Sequence, residues 1–230
     1  METNLEKIKK TALSMVYLDI LETNIETIVQ HPFTDNLYLF DQERNKFVNI
    51  LENEETHKYF IDSCKMKINN VVKYGEFSSL ITKPYRSTFF KFTEEHASAS
   101  DAAAFLKDLW LSTETVNVDI MISRDQYVKY FKKYKKEDLM NDEELRVFHS
   151  LKKETTIYRG VNEITMHPVD GMSWTLDPEF AIFFAKRFSD TGKIYQAQID
   201  KKNILAYFSL EKETVVDFTK LKNIKLYQSI

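Results

Sequence analysis

The stretch Ile194-Tyr195-Gln196-Ala197-Gln198-Ile199, with Ile204-Leu205-Ala206-Tyr207-Phe208 soon after it, decides the fold class. Tyr195 to Ile199 alternates apolar and polar residues, as a strand with one wet face does, whereas Ile204 to Phe208 is continuously apolar. One of the two is expected to be central in a sheet and the other less covered. Working outward, Thr156 to Tyr158, Met172 to Thr175, Thr214 to Phe218 and Ile224 to Tyr227 are further short β-rich runs, so six strands are expected after residue 155. Between the second and third of the six, Asp177 is placed to cap a helix and Pro178 to be its first residue. Ala181, Phe184, Ala185 and Phe188 would form its buried stripe. This part reads as α+β.

Upstream the texture differs. The chain has four glycines, at 75, 160, 171 and 192, and four prolines, at 32, 84, 168 and 178, so most of the first 150 residues lack the punctuation of a strand-rich fold. A helical N-terminal part is expected. Leu5, Ile8, Ala12, Met15 and Val16 recur at helical spacing, predicting a helix that ends near the His31-Pro32 step. Further helices are expected around 43–73 and 101–111. Ser123 and Gln126 have the spacing of a capping box, and Tyr127, Phe131 and Tyr134 the spacing of an apolar stripe, which predicts a helix over 124–136. The organisation expected is a helical region over 1–105 and a second domain over 106–230, with a helical lead-in to 155 and a β core from 156.

At 230 residues and 43% hydrophobic, the chain can bury one sizeable core or a core with a helical appendage. Thirty-two basic against thirty-five acidic residues give a net charge of -3, without the positive field that holds nucleic acid by its phosphates. Nucleic acid is therefore not an expected partner. Cys64 is the single cysteine, so no disulfide framework is expected and a reducing cytoplasm is the expected location. The apolar stretch near the N-terminus is interrupted by Asp19 and Glu22, too early for a secretory leader, and no eighteen-residue apolar run predicts a membrane span.

Dinucleotide-binding, P-loop, zincin and hydrolase motifs are absent, and His31, His57, His96, His149 and His167 are scattered without ligand spacing, so no metal is expected. Three features of the last third belong together: Tyr158-Arg159-Gly160 at the end of one expected strand, Ser173-Trp174-Thr175 on the next, and Glu211-Lys212-Glu213 entering a later one. In this order and placement they resemble the arginine, serine-x-serine/threonine, glutamate-x-glutamate signature of the ADP-ribosyltransferases. The likeness covers residues 156–218, and the helical lead-in over 106–155 is similar to that of bacterial and phage members.

The resemblance implies a split, NAD-binding β core and transfer of ADP-ribose from NAD to a protein, with nicotinamide released. It implies that Glu213 holds the nicotinamide ribose and stabilises an oxocarbenium-like centre, that Ser173 orients Glu213, and that Thr175 supports the cofactor pocket. Arg159 would meet a phosphate or the adjoining ribose, and Gly160 would let the backbone approach the nicotinamide amide. Glu211 lies two residues before Glu213, so in an extended segment both would share a face, and the second carboxylate could deprotonate an arginine acceptor. Trp174 departs from the strict pattern and should point into the core. The implied protein target is a host enzyme, since similar members are effectors, toxins and phage proteins, and the location would then be the host cytoplasm.

Plainer alternatives stand beside these readings: two solvated turn glutamates, and an Arg159 salt-bridged at a strand end. Phe184 and Arg187 match a phenylalanine-x-x-arginine element of some members, but their segment reads as regular helix, which makes them core filler and surface cation. Lys129, Lys132, Lys133, Lys135 and Lys136, interleaved with aromatics, look like a nucleic-acid platform, yet helical spacing separates the two kinds of residue onto different faces. Two rival functions remain open: an NAD glycohydrolase, with water as acceptor, and a non-catalytic module on the same fold that blocks a partner.

Overall fold

The computed structural model describes residues 1–42, 44–113, 121–163, 169–187 and 189–230. The chain divides into two compact units, Met1–Glu114 and Thr115–Ile230.

In the first unit, helix α1 (Leu5–Met15) is capped by the Asn4 side chain, which accepts from the Lys7 amide, and it buries Ile8, Ala12 and Met15. The helix stops there rather than near Pro32. Past Val16 the apolar period lapses, Tyr17 and Leu18 are exposed, and the chain enters short strands. β1 (Leu21–Glu22), β2 (Ile28–His31) and β3 (Thr34–Asn36) pair antiparallel in that order, and β4 (Tyr38–Asp41) pairs with β5 (Lys46–Asn49) as a hairpin.

The expected helix over 43–73 therefore begins late. Asn45 takes φ 50 in the hairpin turn, a backbone region that asparagine tolerates better than most residues. Asn53 then caps α2 (Glu54–Asn70) through a capping box with Thr56. Helices α3 (Phe77–Leu80), α4 (Arg86–Thr93) and α5 (Ala99–Ser112) complete the unit. An expected boundary at 105/106 falls inside α5, so the division follows that helix. The core is aromatic: Tyr74 stacks on Phe105 at 4.8 Å, Phe77 meets Phe89 at 4.8 Å, and the Tyr74 hydroxyl is 2.8 Å from the Thr93 hydroxyl. Cys64 is buried here, and burial pushes its thiol up to about 12, which leaves it unreactive near neutral pH.

The second unit opens with α6 (Arg124–Lys133), set by the expected Ser123–Gln126 capping box and burying Tyr127 and Phe131. It ends three residues before 136, because Tyr134 turns extended at φ -98, ψ 152. Helices α7 (Lys136–Leu139) and α8 (Asp142–Ser150) follow. All six expected strands form: β6 (Glu154–Val161), β7 (Ser173–Thr175), β8 (Lys193–Asp200), β9 (Ile204–Phe208), β10 (Glu213–Val216) and β11 (Lys222–Ser229). Helix α9 (Pro178–Lys186) lies between β7 and β8, with Asp177 as its N-cap. The strands make one antiparallel sheet in the order β11-β8-β6-β7-β10-β9.

The continuously apolar strand is not central. β9 is an edge of the sheet, yet every residue in it is buried, because α6, α7 and α8 pack against it. Those helices also answer its main-chain groups. The Tyr207 amide donates to Met140 Sδ at 3.2 Å, the Lys136 ammonium donates to the Leu205 carbonyl, and just beyond the strand the Ser209 amide donates to Glu144 Oε1 at 3.2 Å. Burial brings the Lys136 ammonium down to about 8. An edge covered in this way is not a template for further strands. Among the described residues, no helix is long and apolar enough to cross a membrane.

Candidate active site

The candidate site lies where β6 and β7 part. β6 pairs with β8 along its whole length, from Glu154↔Asp200 to Val161↔Lys193, but among the described residues it meets β7 only at Tyr158↔Thr175. β7 continues into β10 through Thr175↔Glu213, Trp174↔Thr214 and Val215↔Ser173. Directly paired residues of an antiparallel sheet share a face, so Ser173, Thr175 and Glu213 stand on one face.

Glu213 starts β10, is 6% exposed, and is paired on both sides, with Thr175 and with Phe208. Arg159 is likewise 6% exposed. Its Nη1 donates to the Ser173 carbonyl. Burial lowers the guanidinium to about 10, while the carboxylates of Glu213 and Asp170 oppose that shift; it stays charged at neutral pH. The guanidinium also lies against Gly171, where an added Cβ would fall 2.6 Å from Nη2. Arg159 is thus built into the β6–β7 step through the Ser173 main chain.

Gly160 has a packing role that its spacing does not announce. A Cβ there would lie 1.9 Å from the Ala181 carbonyl oxygen and 2.5 Å from the Ala185 nitrogen, so the missing side chain is what lets α9 sit on β6. Ala181 and Ala185 are both fully buried against Ile194. Thr175 is 3% exposed, and its hydroxyl accepts from the Asp177 amide at 3.1 Å, fixing the strand-to-helix step. Trp174 is buried as expected and donates from its indole to the Gly171 carbonyl at 2.7 Å. That bond holds Gly171 under the guanidinium.

Glu211 is half-buried in the turn over 209–212 that precedes β10. Lys212, between the two glutamates, has φ 45, so the segment is not extended and strand alternation does not set Glu211 beside Glu213. On α9, Phe184 is half-buried rather than core, and its ring meets that of Phe183 at 5.5 Å. Phe188 and His167 lie outside the described residues. Of the lysine run, Lys132 pairs with the buried Asp217 at 2.5 Å, which ties that face of α6 to the fold.

Three contributors were not singled out from the sequence. Gly171 was detectable as one of four glycines in the chain. Asp170 and Arg124 pair at 3.3 Å, with Arg124 over the Phe218 ring at 4.3 Å, and both act on Arg159 electrostatically; nothing in their spacing announces it. No group of three or more histidine, cysteine or carboxylate side chains that could hold a metal occurs among the described residues. No family model, curated protein or solved structure matches this chain.

Proposed function

We propose that the unit Thr115–Ile230 is a mono-ADP-ribosyltransferase that takes ADP-ribose from NAD and transfers it to a protein, with arginine as acceptor. The observation that supports this best is the burial of both a carboxylate, Glu213, and a guanidinium, Arg159, at the step where β6 and β7 part. Burying two opposite charges costs desolvation that apolar packing would avoid. Buried ionisable groups shifted by burial, as Arg159 is, concentrate at functional sites.

In the proposed reaction the bond between ribose C1′ and the nicotinamide nitrogen breaks, and nicotinamide leaves with the electron pair. Glu213 opposes the positive charge that develops on the ribose. An arginine nitrogen of the target then bonds to C1′, and its proton passes to Glu211. Arg159 holds the Ser173 main chain in place. Because Glu211 stands in a turn rather than on the strand, NAD hydrolysis with water as acceptor is the second reading.

The test is incubation with labelled NAD and a cell lysate, following nicotinamide release and protein-bound label. Glu213→Gln is expected to lower both by at least ~10²-fold. Glu211→Gln is expected to abolish transfer while slow hydrolysis to free ADP-ribose persists. A parent protein that releases no nicotinamide from millimolar NAD would sink the assignment.

A further inference from the structure

The two glutamates of the candidate site are supported in different ways. Glu213 is held by the sheet, with ladder partners on both sides. Glu211 belongs to the turn before the strand, closed by a hydrogen bond from the Lys212 amide to the Ser209 carbonyl at 3.2 Å. Within that turn Lys212 takes φ 45, a conformation that lysine rarely adopts unless its surroundings hold it there.

The surroundings are on α9. Lys212 Nζ is 2.8 Å from Asp177 Oδ2 and 4.8 Å from the centre of the Phe180 ring. The other oxygen of the same carboxylate, Oδ1, accepts from the Glu179 amide at 3.0 Å and so caps the helix. α9 is in turn seated on β6 at Gly160. A continuous chain of contacts therefore runs from the sheet through α9 and Asp177 to Lys212 and the turn that carries Glu211.

We infer that Lys212 is a positioning residue: its side chain tethers the turn over 209–212 to α9 and so holds Glu211 where the acceptor must lose its proton, without acting on Glu213. This rests on the transfer reading above. The ion pair is about half-exposed at Lys212, and such pairs add little to stability. The effect is therefore on geometry, and loss of the tether should leave the melting temperature in place while changing which product forms. The pair raises the Lys212 ammonium and lowers the Asp177 carboxyl, so both partners are charged throughout the neutral range.

The experiment uses the full chain with NAD and agmatine as a soluble arginine surrogate, measuring nicotinamide release, agmatine-bound ADP-ribose and free ADP-ribose. Lys212→Ala is expected to keep basal nicotinamide release, measured without agmatine, within about twofold and, with agmatine present, to lower the ratio of transfer to hydrolysis about 10- to 100-fold, as misplacement by an ångström does. Lys212→Arg, which reaches Asp177 and stacks on Phe180, should restore most of the ratio. Lys212→Gly separates backbone from side chain, because glycine adopts φ 45 without strain, and it is expected to behave like Lys212→Ala.

An unchanged ratio in Lys212→Ala, a parental ratio in Lys212→Gly, or an equal loss of agmatine-free nicotinamide release and of transfer in Lys212→Ala each overturns the inference while leaving the proposed function standing. A parent protein that releases no nicotinamide overturns the proposed function and this inference together. Hydrogen exchange of the turn amides, expected to quicken in Lys212→Ala, reads the tether itself without NAD.

Discussion

Arg159 is the residue on which sequence and structure give the most different emphasis. A charged fork at a strand end suggests a phosphate contact, but the guanidinium is buried, bonded to the Ser173 carbonyl and coupled to Glu213. Truncating Arg159 leaves the Ser173 carbonyl without that donor, which costs about 1 to 3 kcal/mol. Arg159→Ala should therefore lower the denaturant midpoint of the second unit, before any question of ligand arises. A midpoint within experimental error of the parent would return Arg159 to the role of a ligand contact that the fold does not need.

At the scale of elements, the decisive contact is α9 on β6. The 1.9 Å approach of a Gly160 Cβ is to a main-chain oxygen, which cannot rotate away as a side-chain tip can. Gly160→Ala must lift the helix, a disruption worth about 2 to 3 kcal/mol, towards the upper end of overpacking effects. Gly75→Ala is the control, since nothing lies within 4 Å of its added Cβ. The first variant should melt clearly below the parent and the second at or slightly above it. Equal melting of the two would show that α9 is not seated as described. Much of this element was legible beforehand: Asp177 and Pro178 announced the helix start, and Ala181 and Ala185 its buried side. The glycine that receives those alanines was not, because its partner is 21 residues away and close approach leaves no periodic trace.

For the molecule as a whole, acid sensitivity is expected to arise in the first unit, at His31. Its ring is fully buried, accepts from the Phe33 amide at Nδ1 (3.2 Å) and meets Phe60 edge-on at 5.1 Å. Burial brings its pKa down to about 4, with the main chain of Val16 and Leu18 partly opposing and His57 adding to the fall. The unfolded chain, near 6.5, then binds the proton first as pH drops. Stability is complete above about pH 6.5 and is lost progressively towards pH 4, by at most about 3 kcal/mol. Denaturant melts followed by Trp110 fluorescence in a Trp174→Phe background should show this slope, and His31→Phe should remove it between those pH values. An identical slope in His31→Phe would assign the acid sensitivity elsewhere.

What the sequence determined by itself is local. Alternation and apolar runs marked all six strands of the second unit, and Ser123 with Gln126 and Asp177 with Pro178 marked helix starts, because periodicity and capping act over three or four residues. It could not rank the strands. Ile204 to Phe208 looks central from its composition, yet lies at the edge, since helices can bury a strand as fully as neighbouring strands do. Nor could it find the short strands over 21–49, whose exposed, broken pattern lacks a clear period. For the site, the residues could be named but not their supports. Only the folded chain bonded Arg159 to the Ser173 carbonyl, set Gly171 against the guanidinium, and turned Lys212 out of the strand to meet Asp177, 35 positions earlier. Those are distances between segments remote in sequence, and they exist only once the sheet has closed its ladders.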